Sequence, residues 1–112
     1  VAFIPILSAI PSEAIQLGDP FVIPLKYNKG PDGKRNQARQ ECSHAHQAIF
    51  HPNGEELLVP NLGTDEVCRF KKTDSGKWTS VSESMDGDDN ESGRDIQYKT
   101  GGGPRHVVFF RT

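Results

Sequence analysis

From Ser43 onward, short apolar runs alternate with turn-forming clusters at regular intervals, the pattern of an antiparallel meander. A strand is predicted over 47–50, followed by His51-Pro52-Asn53-Gly54, in which Asn-Gly is a strong hairpin signal. The next strand covers 56–60, and a loop over 61–65 leads into a third strand over 66–71. There Cys68 and Phe70 share one face, while Val67, Arg69 and Lys71 share the other. A tight turn over 73–76 opens onto a fourth strand, 78–82. The pattern predicts four strands in one up-and-down sheet.

Upstream the texture differs. Residues 1–25 are apolar but carry Pro5, Pro11, Pro20 and Pro24, which break helices and interrupt central strands because proline lacks the ladder donor. Extended edge segments and turns are expected. Residues 26–41 are polar and basic around the turn cluster Gly30-Pro31-Asp32-Gly33, with a loop tip at 33–36, and no helix is expected in either zone. After the meander, 84–94 is acidic and reads as a surface insertion. A further strand is predicted over 106–110, and His106-Val107-Val108-Phe109-Phe110 parallels His46-Gln47-Ala48-Ile49-Phe50 at an offset of 60 positions. Four-stranded units repeating every ~40–45 residues build β-propellers, and the insertion would account for the extra length. The chain divides accordingly into an extended segment (1–41), a blade (42–83), an acidic insertion with a strand (84–100) and the start of a next blade (101–112). The expected fold is all-β, roughly two four-stranded antiparallel blades of an incomplete propeller.

Composition narrows the function classes. The chain has 112 residues, 34% hydrophobic and 25% charged, which suits one soluble domain with a moderate core. The apolar stretch 1–10 is interrupted by Pro5 and Ser8. It falls short of the ~20 residues a spanning helix needs and lacks the basic flank of a signal peptide, so no membrane association is expected. Thirteen Lys and Arg against fifteen Asp and Glu leave a net charge of −2, which removes the bulk electrostatic case for nucleic acid. The basic run Lys26, Lys29, Lys34, Arg35 and Arg39 and the acidic run Glu83, Asp86, Asp88, Asp89, Glu91 and Asp95 both read as solvated loops. Cys42 and Cys68 make no disulfide framework, although one bridge is possible; two free, partly buried thiols are expected. A soluble cytoplasmic setting is favoured.

Three ordered strings then carry a resemblance. They are Arg39-Gln40-Glu41-Cys42-Ser43-His44-Ala45-His46-Gln47-Ala48-Ile49-Phe50-His51-Pro52-Asn53-Gly54, then Leu58-Val59-Pro60-Asn61-Leu62-Gly63-Thr64-Asp65, then Gly101-Gly102-Gly103-Pro104-Arg105-His106-Val107. Together they resemble the seven-bladed propeller lactonase family, which includes 6-phosphogluconolactonases and carboxy-cis,cis-muconate cyclases. The resemblance covers 36–110 and implies a site in the central mouth, with His46 and Arg105 as catalytic residues. His44, His106 and Asn61 are implied as substrate-binding or supporting residues. The chemistry suits these types, because an imidazole serves as acid or base near neutral pH and a guanidinium offers a rigid fork to a carboxylate or phosphate. Adjacent inner strands would bring His46 and Arg105 to one rim. No cofactor is implied, and the partner implied is a small lactone or sugar acid.

Seven blades need on the order of 300 residues, so the chain reads as a fragment whose intact parent would open or close a lactone, the piece alone being inactive. Two other classes are a non-catalytic propeller platform and a fragment that self-associates through its open sheet edges. His44 and His46, two apart on a strand, face one side and could chelate a metal, but they lack a third ligand beyond His51 or Asp65, so no metal site is assigned. The acidic cluster lacks calcium-loop spacing. The triple glycine lacks the Lys-Ser/Thr of a phosphate loop but permits close approach of a ligand. Trp78 reads as blade packing.

Overall fold

The computed structural model describes residues 1–82 and 95–111. The proline-punctuated start of the chain folds back on itself as a long, interrupted hairpin. Strand β1 (Ala2–Phe3) pairs with β4 (Phe21–Val22), and β2 (Ile6–Ser8) pairs with β3 (Gln16–Leu17), both antiparallel. Between the two ladders the Gly18 N–H donates to the Pro5 carbonyl at 2.7 Å. Pro5, Pro11 and Pro20 all fall between strands, where a missing N–H costs no ladder bond.

The main sheet is the predicted meander. Strands β5 (Ile49–Phe50), β6 (Glu56–Asn61), β7 (Glu66–Lys72) and β8 (Trp78–Ser80) lie in that order, each antiparallel to the next. The Asn53-Gly54 turn closes as expected, with the His51 N–H donating to the Glu56 carbonyl at 2.8 Å. A fifth strand, β9 (Ile96–Gln97), lies within the 84–100 segment in which a strand is expected after the acidic insertion. It pairs with the first residues of β7, through Val67 opposite Ile96, while β8 pairs with the last, through Phe70 opposite Ser80. Strands β8 and β9 therefore lie end to end along one edge of β7, as a single edge strand split in sequence. At the break, the Arg69 N–H donates to Asp95 Oδ1 at 2.8 Å, so a carboxylate takes the place of the missing backbone acceptor. Burial is the largest influence on that carboxyl and pushes its pKa up. The rest of the acidic insertion lies outside the described residues.

Leu57 faces Phe70 and Val59 faces Cys68 across β6 and β7, and this face forms the core with Phe3 from the hairpin. The Phe3 ring stacks on Phe21 at 5.0 Å and on Trp78 at 5.4 Å, and meets Phe70 edge-on at 6.2 Å. Trp78 is thus a packing residue that holds the hairpin to the sheet. Both cysteines are free, but they are not alike: Cys42 is exposed and Cys68 is buried. Burial, helped by the negative charges of Asp95 and Glu66, pushes the Cys68 thiol up to about 12. Iodoacetamide should therefore label Cys42 alone in the native chain and reach Cys68 only in denaturant, as peptide mass mapping would establish.

One predicted strand needs correction. Residues 106–110 form no ladder among the described residues, and Val108 and Phe110 stand 84% and 89% exposed. The segment is still extended, with burial alternating along it, and it lies beside the start of the meander. The Val107 N–H donates to Gln47 Oε1 at 2.7 Å, and Phe109 meets the His51 ring edge-on at 4.8 Å. A run of β-branched and aromatic residues favours an extended chain, but a strand also needs a hydrogen-bonded neighbour. No described helix is long and apolar enough to cross a membrane.

Candidate functional site

The β6–β7 hairpin turns through residues 62–65, and its last residue organises the surrounding loops. Asp65 has φ 58°, a left-handed conformation that Asp adopts more readily than most residues, and it is 3% exposed. Its carboxylate accepts from the N–H groups of Gly101 and Gly103, from Gln40 Nε2 and from Arg35 Nε, each at 2.9 Å. Burial pushes this carboxyl up, but the two glycine N–H groups, Arg35 and Gln40 together outweigh it and hold the carboxyl below its ordinary value. Arg35 also donates to the carbonyls of Thr64 and Asn28. Arg35 is accordingly no solvated loop charge but half of a buried ion pair, with side chains 7% and 4% exposed. Its partner lies 30 positions away, which the local charge pattern could not reveal. The triple glycine has a structural task as well: Gly101 and Gly103 have positive φ and donate their N–H groups to Asp65.

Asn61, at the other end of this turn, works in the same way. It is fully buried, its Oδ1 accepts from the N–H groups of His44 and Gly63, and its Nδ2 donates to Ser43 Oγ at 3.1 Å. Asn61 is a positioning residue for the 43–46 segment. The backbone completes the frame, with Leu62 N–H to the His44 carbonyl and His46 N–H to the Pro60 carbonyl, at 2.9 and 3.1 Å. Gly63 makes this approach possible, since a Cβ there would lie 1.7 Å from the Cys42 carbonyl oxygen.

These two anchors bring distant residues to one place. His44 and His46 arrive from the segment pinned by Asn61, and Arg105 arrives just after the glycines pinned by Asp65. Together with Ala38, Arg39, Glu41 and Leu62 they line a cavity of about 290 Å³. A second cavity of about 180 Å³ shares Arg39, Leu62 and Arg105 and is walled by Asn36, Gln40 and the glycine run. The two guanidinium-bearing residues thus line both spaces. Glu41 Oε1 lies 2.9 Å from His44 Nε2, and the Glu41 carboxyl is held low by a hydrogen bond from its own backbone N–H and then by His44.

Of the five residues singled out from sequence, His46, Arg105 and His44 line one cavity, and Asn61 holds its frame. His106 is exposed and lies outside both cavity linings. Arg39 and Glu41 are additions from the structure, although both stand within the same string as the two histidines. His51 and Asp65, the other residues weighed as metal ligands, are engaged elsewhere: His51 packs on Phe109, and Asp65 anchors loops.

The described residues form antiparallel sheets and no helix, as an incomplete β-propeller would. The family model for the seven-bladed β-propeller lactonases matches residues 21–112. The chain is 35% identical over 99 residues to a probable 6-phosphogluconolactonase of Arthroderma benhamiae, a match covering 88% of this chain and 20% of that protein. No solved structure matches. The chain belongs to the seven-bladed β-propeller lactonase family. It spans about a fifth of the length of the curated relative it matches.

Proposed function

We propose that this chain forms part of the mouth of a lactonase ring that hydrolyses the lactone of an anionic sugar acid, 6-phosphogluconolactone being the substrate suggested by the relative's name. The observation that carries this reading is the convergence of Arg105 on one cavity with His46 and Arg39, which belong to a distant string. His46 takes a proton from water as its oxygen adds to the lactone carbonyl. The ring C–O bond then breaks, and the proton passes to the departing alkoxide, leaving the free hydroxy acid. Arg105 and Arg39 bind the phosphate or carboxylate and hold the ring against the histidine. The remaining site residues would come from other blades of the ring, and the 112-residue piece alone is proposed to be inactive.

The test is hydrolysis of freshly generated 6-phosphogluconolactone, followed by proton release, by the full protein carrying this segment and by its Arg105→Ala variant. Loss of a charge-assisted fork should raise KM about tenfold or more, with a smaller change in kcat. Turnover no faster than the spontaneous reaction, or an unchanged KM in the variant, rejects the proposal.

A further inference from the structure

The exposed Cys42 thiol belongs to a cluster. Its Sγ lies 3.4 Å from His44 Nε2 and 3.7 Å from Glu41 Oε1, and those two atoms are 2.9 Å apart. In a nucleophilic triad, the thiol and the orienting carboxylate would sit on opposite nitrogens of the imidazole, so that one holds the ring while the other gives up its proton. Here both meet the same nitrogen, and no relay is possible. What the arrangement does instead is aim three donor atoms at one point, all within 4.8 Å of one another.

Sulfur, imidazole nitrogen and carboxylate oxygen together make the donor set of a borderline-soft divalent cation. A thiolate and a carboxylate also supply two negative charges to balance it. The frame behind the donors is built. Asn61 Oδ1 accepts the His44 N–H, Asn61 Nδ2 donates to Ser43 Oγ, and Ser43 Oγ donates to the Lys26 carbonyl at 3.1 Å. At the residue before Glu41, Tyr27 donates its hydroxyl proton to the Gln40 carbonyl at 2.8 Å. These contacts hold the backbone that carries the three donors, while the donor side chains meet one another. Glu41 and His44 also line the 290 Å³ cavity, which leaves space for water as a fourth ligand. The second cluster of donor type, Glu66, Cys68 and Asp95, is less suited. It has no imidazole, and its sulfur is buried.

We propose that Glu41, Cys42 and His44 form a binding site for a zinc-class divalent cation. The site goes beyond the lactonase reading and stands or falls without it. The test is titration of the full chain with Co²⁺, followed by displacement with Zn²⁺. Saturation at one equivalent is expected, with a thiolate-to-cobalt charge-transfer absorption that Zn²⁺ removes. Cys42→Ser, a near-isosteric change at an exposed position, should abolish that absorption, and His44→Gln should weaken Co²⁺ binding about tenfold or more. Absence of a stoichiometric site overturns the proposal. So does an absorption that survives Cys42→Ser, which would place the metal on the buried cysteine.

Discussion

Replacing Asp65 with alanine should cost the chain about 3–5 kcal/mol, the range seen when one partner of a buried ion pair is removed. The loss is large because four donors converge on that carboxylate. Arg35 would keep its charge in a buried place with only carbonyls to meet it, while the N–H groups of Gly101 and Gly103 and the Gln40 amide would lose an acceptor. Against a typical total of ~5–15 kcal/mol for a domain, the variant would sit close to its unfolding threshold. Asp65→Asn should lose less, since Asn also tolerates the left-handed conformation and keeps one acceptor oxygen. Trp78, the single tryptophan, stacks in the core on Phe3 and reports on unfolding through its fluorescence in urea. The same carboxylate sets an acid limit. Its folded pKa lies below the unfolded value of ~3.9, so the unfolded chain binds the proton more readily. The stability it contributes is fully present above that value and is lost as pH falls through the folded pKa. The wild-type midpoint should therefore drop below about pH 4 more steeply than that of Asp65→Asn. Equal urea midpoints for Asp65→Ala and wild type at neutral pH would show that the carboxylate does not hold these loops.

The regions of the molecule that can be read from sequence are those whose causes are local. The Asn53-Gly54 turn and the alternation around Phe70 depend on neighbours a few residues away, and β5 to β8 appear where those signals put them. Strand β9 is legible only as a strand somewhere in 84–100, because its partner, the start of β7, lies across the acidic insertion, and two residues carry no pattern by themselves. The run 106–110 is apolar and extended as its composition suggests, yet composition says nothing about which strand will pair with it. Arg35 escapes for a related reason: a buried cation is recognisable only with its acceptor, and Asp65 is far along the chain. The convergence of His46 and Arg105 fares better. The offset of 60 positions that relates their two strings reappears as the hydrogen bond from Val107 to Gln47, so the repeat itself carries spatial information. Asn61 and Asp65 stand out in the sequence as candidates for chemistry and turn out to hold loops, since short polar side chains at a hairpin turn serve backbone donors as readily as ligands.

His46→Gln should lower kcat for lactone hydrolysis by about 10²–10⁴-fold in the full protein, the usual contribution of a positioned acid or base, while KM changes little. Glutamine keeps a polar side chain of similar reach but cannot take up a proton near neutral pH. The fold uses His46 through its backbone N–H, which donates to the Pro60 carbonyl, and the side chain itself is exposed on the cavity. A fall in rate therefore reports lost chemistry rather than lost structure, and the urea midpoint should stay within about 0.5 kcal/mol of wild type. The split between kcat and KM separates the roles further. The Arg105→Ala enzyme should keep most of its kcat while its KM rises, because a guanidinium binds the anion and transfers no proton. A His46→Gln enzyme with wild-type kcat would move the proton transfer to another residue and leave the cavity as a binding site.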